Sequence, residues 1–302
     1  MWAIGVDIGG TKMRAAAVHE DGRLAHAIQV PTPASVGPEA VLQACEQTVR
    51  DVMRQATQSG DFPASGCCGV GVASAGRIDP VAGTVVFSTA TFRQWQGTPI
   101  AESLRAALHL PVFVDNDVNA ALMGEAWLGA AQGMERAAFV ALGTGVGGAL
   151  LEQGRVAQGA TSSAGEFGHM IYVPDGEPCV CGARGCYEAY LAGPALERHY
   201  REKTGEHVRA EHVMNAYRSS PSAADVIDAW LRGLATLLYS IQNGFDPACT
   251  ILGGGMVDSK DIWWAPLQQV LQAYPIPVAV RVAKTGGNAA IYGAAKRVLS
   301  AL

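Results

Sequence analysis

Two distant passages of the chain follow one plan. "AIGVDIGGTKMRAAAV" reads as a strand, a glycine turn and a second strand, and "RLAHAIQV" adds a third strand after the turn "HEDG". Much later, "AAFVALGTGVGG" supplies a strand and a glycine turn, "ALLE" a strand, "QG" a turn and "RVAQG" a strand. Short apolar runs closed by glycine mark strands and the turns between them. Internal duplication is the economical explanation of a plan that recurs. The chain is therefore expected to form two lobes of similar topology, each opening on its own glycine loop.

Helical periodicity fills the intervals. Val41, Leu42, Cys45, Val49 and Val52 share one face of a helix that starts at Pro38, because proline suits a first helical turn. Ile227, Trp230, Leu231, Leu234, Leu238 and Ile241 mark a long helix ending near Gly244. "PVFVDND" is a strand running into the helix "NAALMGEAWLG". "CTILGGG" is a buried strand ending in a glycine turn, and "NAAIYGAAKRVLSAL" is a closing helix. Strands alternating with helices after an antiparallel start predict a mixed α/β fold. The first lobe is expected over residues 1–118 with the closing helix 287–302, and the second over 119–286.

Composition narrows the function classes. The 302 residues are 49% hydrophobic and 16% charged, which is ordinary for a globular chain with room for two lobes. A net charge of −5 gives no electrostatic case for a nucleic-acid partner. "MWAIGVDIGG" lacks the basic region and cleavage site of a signal peptide, and no apolar run is long enough to span a bilayer. A cytoplasmic protein with no membrane partner is expected. Four of the seven cysteines, Cys45, Cys67, Cys68 and Cys249, lie scattered in apolar surroundings and are expected to be buried, reduced thiols.

The glycine loops "DIGGTK" and "GTGVGG" match neither the Walker A pattern nor a dinucleotide fingerprint, and either alone could be a hairpin turn. As a pair they have a common chemistry. Gly9, Gly10, Gly143 and Gly145 free backbone N–H groups to surround phosphate oxygens, and Thr11, Lys12 and Thr144 add donors. Asp7 stands at a strand end, where it could hold the water shell of Mg²⁺. Two such loops in duplicated lobes predict one nucleotide gripped in a cleft. Gly254, inside "GGG", would let an adenosine approach the backbone closely. "VDNDVN" sets Asp115, Asn116 and Asp117 just after a strand. Helix capping explains one such residue. Phosphoryl transfer also needs a group that orients the accepting hydroxyl and takes its proton, and a carboxylate fits.

His169, Cys179, Cys181 and Cys186 have the spacing H-x9-C-x-C-x4-C. Three cysteines suit a disulfide poorly. Soft N and S donors without a carboxylate suit tetrahedral Zn²⁺ in a closed, structural site. Glu166 lies three residues before His169, and Glu188 two after Cys186, so both carboxylates are tethered close to the metal.

In this order, "DIGGTK", "VDNDVNAA", "GTGVGG", "AGEFGH" and "CVCGARGCYEAY" resemble the ROK family of sugar kinases and repressors over nearly the whole chain. The resemblance implies the two-lobe actin/hexokinase-like (ribonuclease H-like) fold with a cleft between lobes. It implies transfer of the γ-phosphate of ATP to a hexose or amino-sugar hydroxyl, usually O6, by a homodimer. Asp117 is then the base and Asn116 a sugar ligand, while Asp115, on the other side of the strand, is structural. In similar kinases Glu166, His169 and Glu188 would contact the hexose, with His169 binding zinc through one ring nitrogen and the sugar through the other. Gly76 in "ASAGRID" would let the backbone touch the sugar, while Arg77 reads as a surface residue. One rival is a non-catalytic sugar sensor or repressor. Asp117 argues against it, and so does a first strand beginning at residue 2, which leaves no room for a DNA-binding domain. Another rival is an ATPase of the actin or chaperone type, which the zinc loop and its glutamates disfavour. Polyphosphate as donor stays open.

The sugar is read from one segment. Many glucose-type relatives carry an Asn-Leu pair before a tryptophan, as in "NLPGW", whereas this chain has "STATFRQW" with Thr91 in place of that Asn. An Asn side chain can both donate to and accept from a sugar hydroxyl, whereas Thr is shorter and would leave space or a lost hydrogen bond. The segment looks more like the N-acetylmannosamine kinases. N-acetylmannosamine is therefore expected ahead of glucose, with N-acetylglucosamine and fructose behind.

Overall fold

The computed structural model describes residues 1–63, 66–88 and 92–301. In chain order the elements begin β1 (Trp2–Ile8), β2 (Lys12–His19), β3 (Leu24–Pro31), α1 (Pro38–Gln58), β4 (Val70–Ser74), β5 (Arg77–Asp79), β6 (Thr84–Phe87), α2 (Ile100–Leu108), β7 (Val112–Asn116) and α3 (Asp117–Leu128). They continue β8 (Ala137–Leu142), β9 (Val146–Glu152), β10 (Arg155–Val156), α4 (Glu188–Leu191), α5 (Gly193–Thr204), α6 (Ala210–Asn215) and α7 (Pro221–Phe245). The chain closes with β11 (Thr250–Gly253), α8 (Lys260–Leu271), β12 (Val280–Val282) and α9 (Ala289–Leu299).

Two compact units result: Met1–Gly133 with Arg155–Ala164 and Gly287–Leu302, and Met134–Gly154 with Gly165–Gly286. The first sheet has the order β3-β2-β1-β4-β7, with β1 antiparallel to β2 and parallel to β4. The second has the order β10-β9-β8-β11-β12, with β8 antiparallel to β9 and parallel to β11. The duplication expected from the glycine-loop passages is thus present strand for strand. One detail differs: β10 holds only Arg155 and Val156, so "RVAQG" is a strand at its start alone.

Both faces of the first sheet are covered, which explains the unbroken apolar run of β1. Ile4, Val6 and Ile8 share a core with Val41, Cys45, Val49 and Val52 of α1. Ala3, Ala16 and Val18 pack against Ile291, Ala295 and Val298 of α9. Small residues bring α9 down to backbone contact, since a methyl on Gly5 or Gly71 would overlap the carbonyls of Ile291 and Ala294. Gly124 and Gly293 do the same between α3 and α9, against the carbonyls of Ala289 and Ala120. That close seating bears on where the first unit ends, which the sequence reading put at 118. Because α3 packs on α9, the first unit runs to Gly133, and it also takes in Arg155–Ala164.

The second unit is organised by α7, which buries Ile227, Trp230, Leu231, Leu234, Leu238 and Ile241 as the periodicity predicts. The helix continues through Gly244 and ends at Phe245, where Asp246 takes a left-handed turn at φ 46°. All seven cysteines are free; Cys45, Cys67 and Cys249 are buried as expected, whereas Cys68 is half-buried. No helix among the described residues is long and apolar enough to cross a membrane.

Candidate active site

In the first unit, the chain leaves β1 through Gly9 and Gly10 and returns at Lys12, with the Gly9 N–H donating to the Lys12 carbonyl at 3.1 Å. Thr11 and Lys12 are exposed at the tip, while Gly9 and Gly10 are half-buried beneath it. Asp7 sits one residue before the strand ends and faces Arg14 across the β1–β2 ladder. Its carboxyl is pushed up to about 7, first by burial and then by the Asp117 charge, with Arg14 and Lys12 pulling the other way. Arg14 is held in place by the Gly287 carbonyl at 2.5 Å and Asn288 Oδ1 at 2.6 Å. Sequence reading passed over Arg14. The signal was available, because a hairpin that pairs Ile8 with Met13 must also pair Asp7 with Arg14.

At the end of β7, Asn116 is the N-cap of α3. Its Oδ1 accepts the N–H groups of Val118 at 2.8 Å and Asn119 at 3.1 Å. Its Nδ2 donates to the Gly76 carbonyl at 2.8 Å and to Asp117 Oδ1 at 3.0 Å. The amide that was assigned to the sugar thus has both of its hydrogens and its oxygen engaged by the protein. Asp117 Oδ1 also accepts the Val118 N–H at 3.0 Å. The Asn116 and Val118 donors thus both converge on Oδ1 of Asp117. Burial raises the Asp117 carboxyl above the usual range, opposed by its backbone donors and by Asn116. Asp115 points elsewhere, accepting from the Asn116 N–H at 2.8 Å, Asn119 Nδ2 at 3.0 Å and Gln158 Nε2 at 2.9 Å, in keeping with a structural role.

Gly76, at φ 96°, must be glycine, because a Cβ there would meet the Phe87 carbonyl oxygen at 2.7 Å. Arg77 is not a free surface residue. Its guanidinium lies 5.0 Å over the Phe87 ring and donates to Ser163 Oγ at 2.5 Å. Thr91, on which the sugar expectation rests, lies outside the described residues.

In the second unit, β8 and β9 are joined by the loop Gly143–Gly145. Gly143 and Thr144 line a cavity of about 660 Å³ together with Glu197, Asn215, Gly255 and Ile262. That volume falls within the range of roughly 300–1,000 Å³ typical of small-molecule pockets. At Gly254, expected to let an adenosine approach the backbone, a Cβ would strike the backbone of Leu142. Gly255, the next residue, is the one that reaches the cavity.

The donor atoms of His169, Cys179, Cys181 and Cys186 all lie within 4.8 Å of one another. Cys181 and Cys186 are 3.7 Å apart at sulfur, and His169 Nδ1 is 3.6 Å from Cys179 Sγ. A tetrahedral ion bound at about 2.3 Å to sulfur and 2.0 Å to nitrogen would set these separations near 3.8 and 3.5 Å. The separation is also far beyond the roughly 2.05 Å of a disulfide. Burial first, and then the neighbouring thiols, push the Cys179 thiol up to about 12 despite a backbone donor from Cys181. The donor set therefore fits a divalent, sulfur-seeking ion. Backbone turns shape the loop beforehand, with Cys179 N–H donating to Ala183 at 2.9 Å and Gly182 N–H to Cys179 at 3.0 Å. Glu166 precedes and His169 closes the short turn Phe167–His169, where Gly168 packs against the Val146 carbonyl. Glu188 opens α4, half-buried.

A sheet built twice, with a glycine hairpin at the head of each copy and a carboxylate where a parallel strand meets a helix, is the architecture of the actin/hexokinase-like class. The chain belongs to the ROK family, whose model matches residues 3–300. A glucokinase from Streptomyces coelicolor is 33% identical over 316 residues, covering 97% of this chain and 96% of that protein. An N-acetyl-D-glucosamine kinase from Vibrio atlanticus is 29% identical over 306 residues, covering 96% and 97%. Among solved structures, a ROK family glucokinase from Streptomyces griseus in complex with glucose and AMPPNP has a TM-score of 0.84 at 31% identity, covering 99% of this chain and all of that one.

Proposed function

We propose that the chain is an ATP- and Mg²⁺-dependent sugar kinase that phosphorylates the 6-hydroxyl of a hexose, with Asp117 as the base. The observation that carries this reading is the Asp117 carboxyl group. Asn116 and Val118 fix Oδ1, and burial raises the affinity of the carboxyl for a proton. A carboxylate so held can orient an acceptor hydroxyl and take its proton as the bond to phosphorus forms. Asp7 and Asp117 repel one another, and the Mg²⁺ carried by the nucleotide would relieve that repulsion. The glycine loops after β1 and β8 would hold phosphate oxygens on backbone N–H groups, and the cavity beside Gly143 would take the nucleoside. Zn²⁺ held by His169 and the three cysteines would order the loop carrying Glu188. Because Nδ1 of His169 faces the sulfurs, Nε2 is the nitrogen left for a sugar oxygen. By family resemblance the enzyme is read as a cytoplasmic homodimer.

Glucose is the acceptor we favour, supported by glucokinase relatives at 33% and 31% identity. N-acetylmannosamine is the second reading, carried by Thr91 and the segment "STATFRQW". A steady-state panel of glucose, N-acetylmannosamine, N-acetylglucosamine and fructose tests both. The glucose reading expects its kcat/KM to lead by about tenfold, the scale of one buried hydrogen bond. A tenfold lead for N-acetylmannosamine would overturn it and restore the weight of Thr91.

A further inference from the structure

The second glycine loop and the cysteine loop meet at one carboxylate. Glu188 follows Cys186 by two residues, and its Oε2 accepts the backbone N–H of Val146 at 2.8 Å. Val146 is the first residue after Gly145. The other oxygen, Oε1, lies 3.8 Å from Cys179 Sγ. Gly145 is bare on the side from which the carboxylate arrives, and a Cβ there would stand only 2.6 Å from Oε2. Elsewhere the turn has few anchors: Gly143 N–H donates to the Gly145 carbonyl at 3.0 Å, and the Gly143 carbonyl accepts from Gly193 at 2.8 Å. Bonds from a backbone N–H to a carboxylate are charge-assisted and stronger than those between neutral groups.

We propose that Glu188 is a positioning residue for the loop Gly143–Gly145, fixing the direction of the N–H groups that would face a phosphate. This role is separate from the sugar contact and rests on reading the loop as part of a nucleotide site. Its consequence is that nucleotide affinity depends on Glu188 even when no sugar is present.

Two measurements test it on the full chain: the affinity of Mg·ATP without sugar, and the hydrogen-exchange rate of the Val146 amide. Glu188→Ala should weaken Mg·ATP by about tenfold, the scale of one lost charged hydrogen bond, and should speed Val146 exchange. Glu188→Gln keeps an acceptor oxygen and should stay within about threefold of the parent. Unchanged Mg·ATP affinity with unchanged Val146 exchange in Glu188→Ala would overturn the proposal and leave Glu188 a sugar contact alone. If that variant does not fold, Gly145→Ala serves instead, because it displaces the carboxylate without removing it. It should also speed Val146 exchange, and unaltered exchange there would overturn the proposal. A parent protein that binds no Mg·ATP would defeat the kinase reading, while faster Val146 exchange in Glu188→Ala would still uphold the loop contact.

Discussion

Asp7 concentrates the conflict between stability and chemistry at one side chain. Burial and the Asp117 charge raise its carboxyl to about 7 in the folded chain, against the pull of the facing Arg14 and of Lys12, from an ordinary value near 4. A carboxyl raised in the folded state opposes folding once it must ionise. That cost is absent below about pH 4, grows between about 4 and 7, and is complete above about 7. At roughly 1.4 kcal/mol per pH unit it amounts to a few kcal/mol. Asp7→Asn should therefore raise the melting temperature at pH 8 and leave it nearly unchanged at pH 4, while impairing Mg·ATP binding. Melting curves of both proteins at the two pH values check this, and equal stabilisation at both would deny the charge a role. Asp7 and Asp117 were legible in the sequence because carboxylates at strand ends are conspicuous. Arg77 on Ser163 and Gln158 on Asp115 were not, since each pairing joins residues far apart in sequence that no local spacing records.

Among the elements, the cysteine loop is small and largely independent of the core. Two backbone bridges, Ile171 with Cys186 and Pro178 with Arg184, close it without help from a metal. The neighbouring core is built from Phe167, Tyr187, Leu191 and the apolar stripe of α7. A bound Zn²⁺ can contribute on the order of 10 kcal/mol locally, but here that energy falls on the loop. Chelation should accordingly abolish activity while far-ultraviolet circular dichroism stays close to that of the parent. Cys181→Ala should lose zinc and sugar affinity together. Metal analysis with sugar titration checks this, and full activity in zinc-free protein would contradict it. The loop was legible because four soft ligands in a short span have one common use. The Val146 contact of Glu188 was not, because it joins residues in different elements. Gly255 was not singled out for a related reason: three glycines in a row do not reveal which one packs on a strand and which one lines a cavity.

At the scale of the whole molecule, the sheet order of one unit repeats that of the other, and the repeat could be read from alternating apolar runs and glycine turns alone. The boundary between units could not, because it depends on α3 and α9 meeting through Gly124 and Gly293 across more than half the chain. The central claim is phosphoryl transfer to a sugar with Asp117 as the base. Its most direct measurement is transfer of labelled γ-phosphate from ATP to a hexose by the parent protein and by Asp117→Asn. The substitution preserves shape and one acceptor but cannot take the proton. Turnover should fall by about 10²–10⁴-fold, the usual range for loss of a general base, with sugar affinity retained. Near-normal turnover in Asp117→Asn would contradict the account.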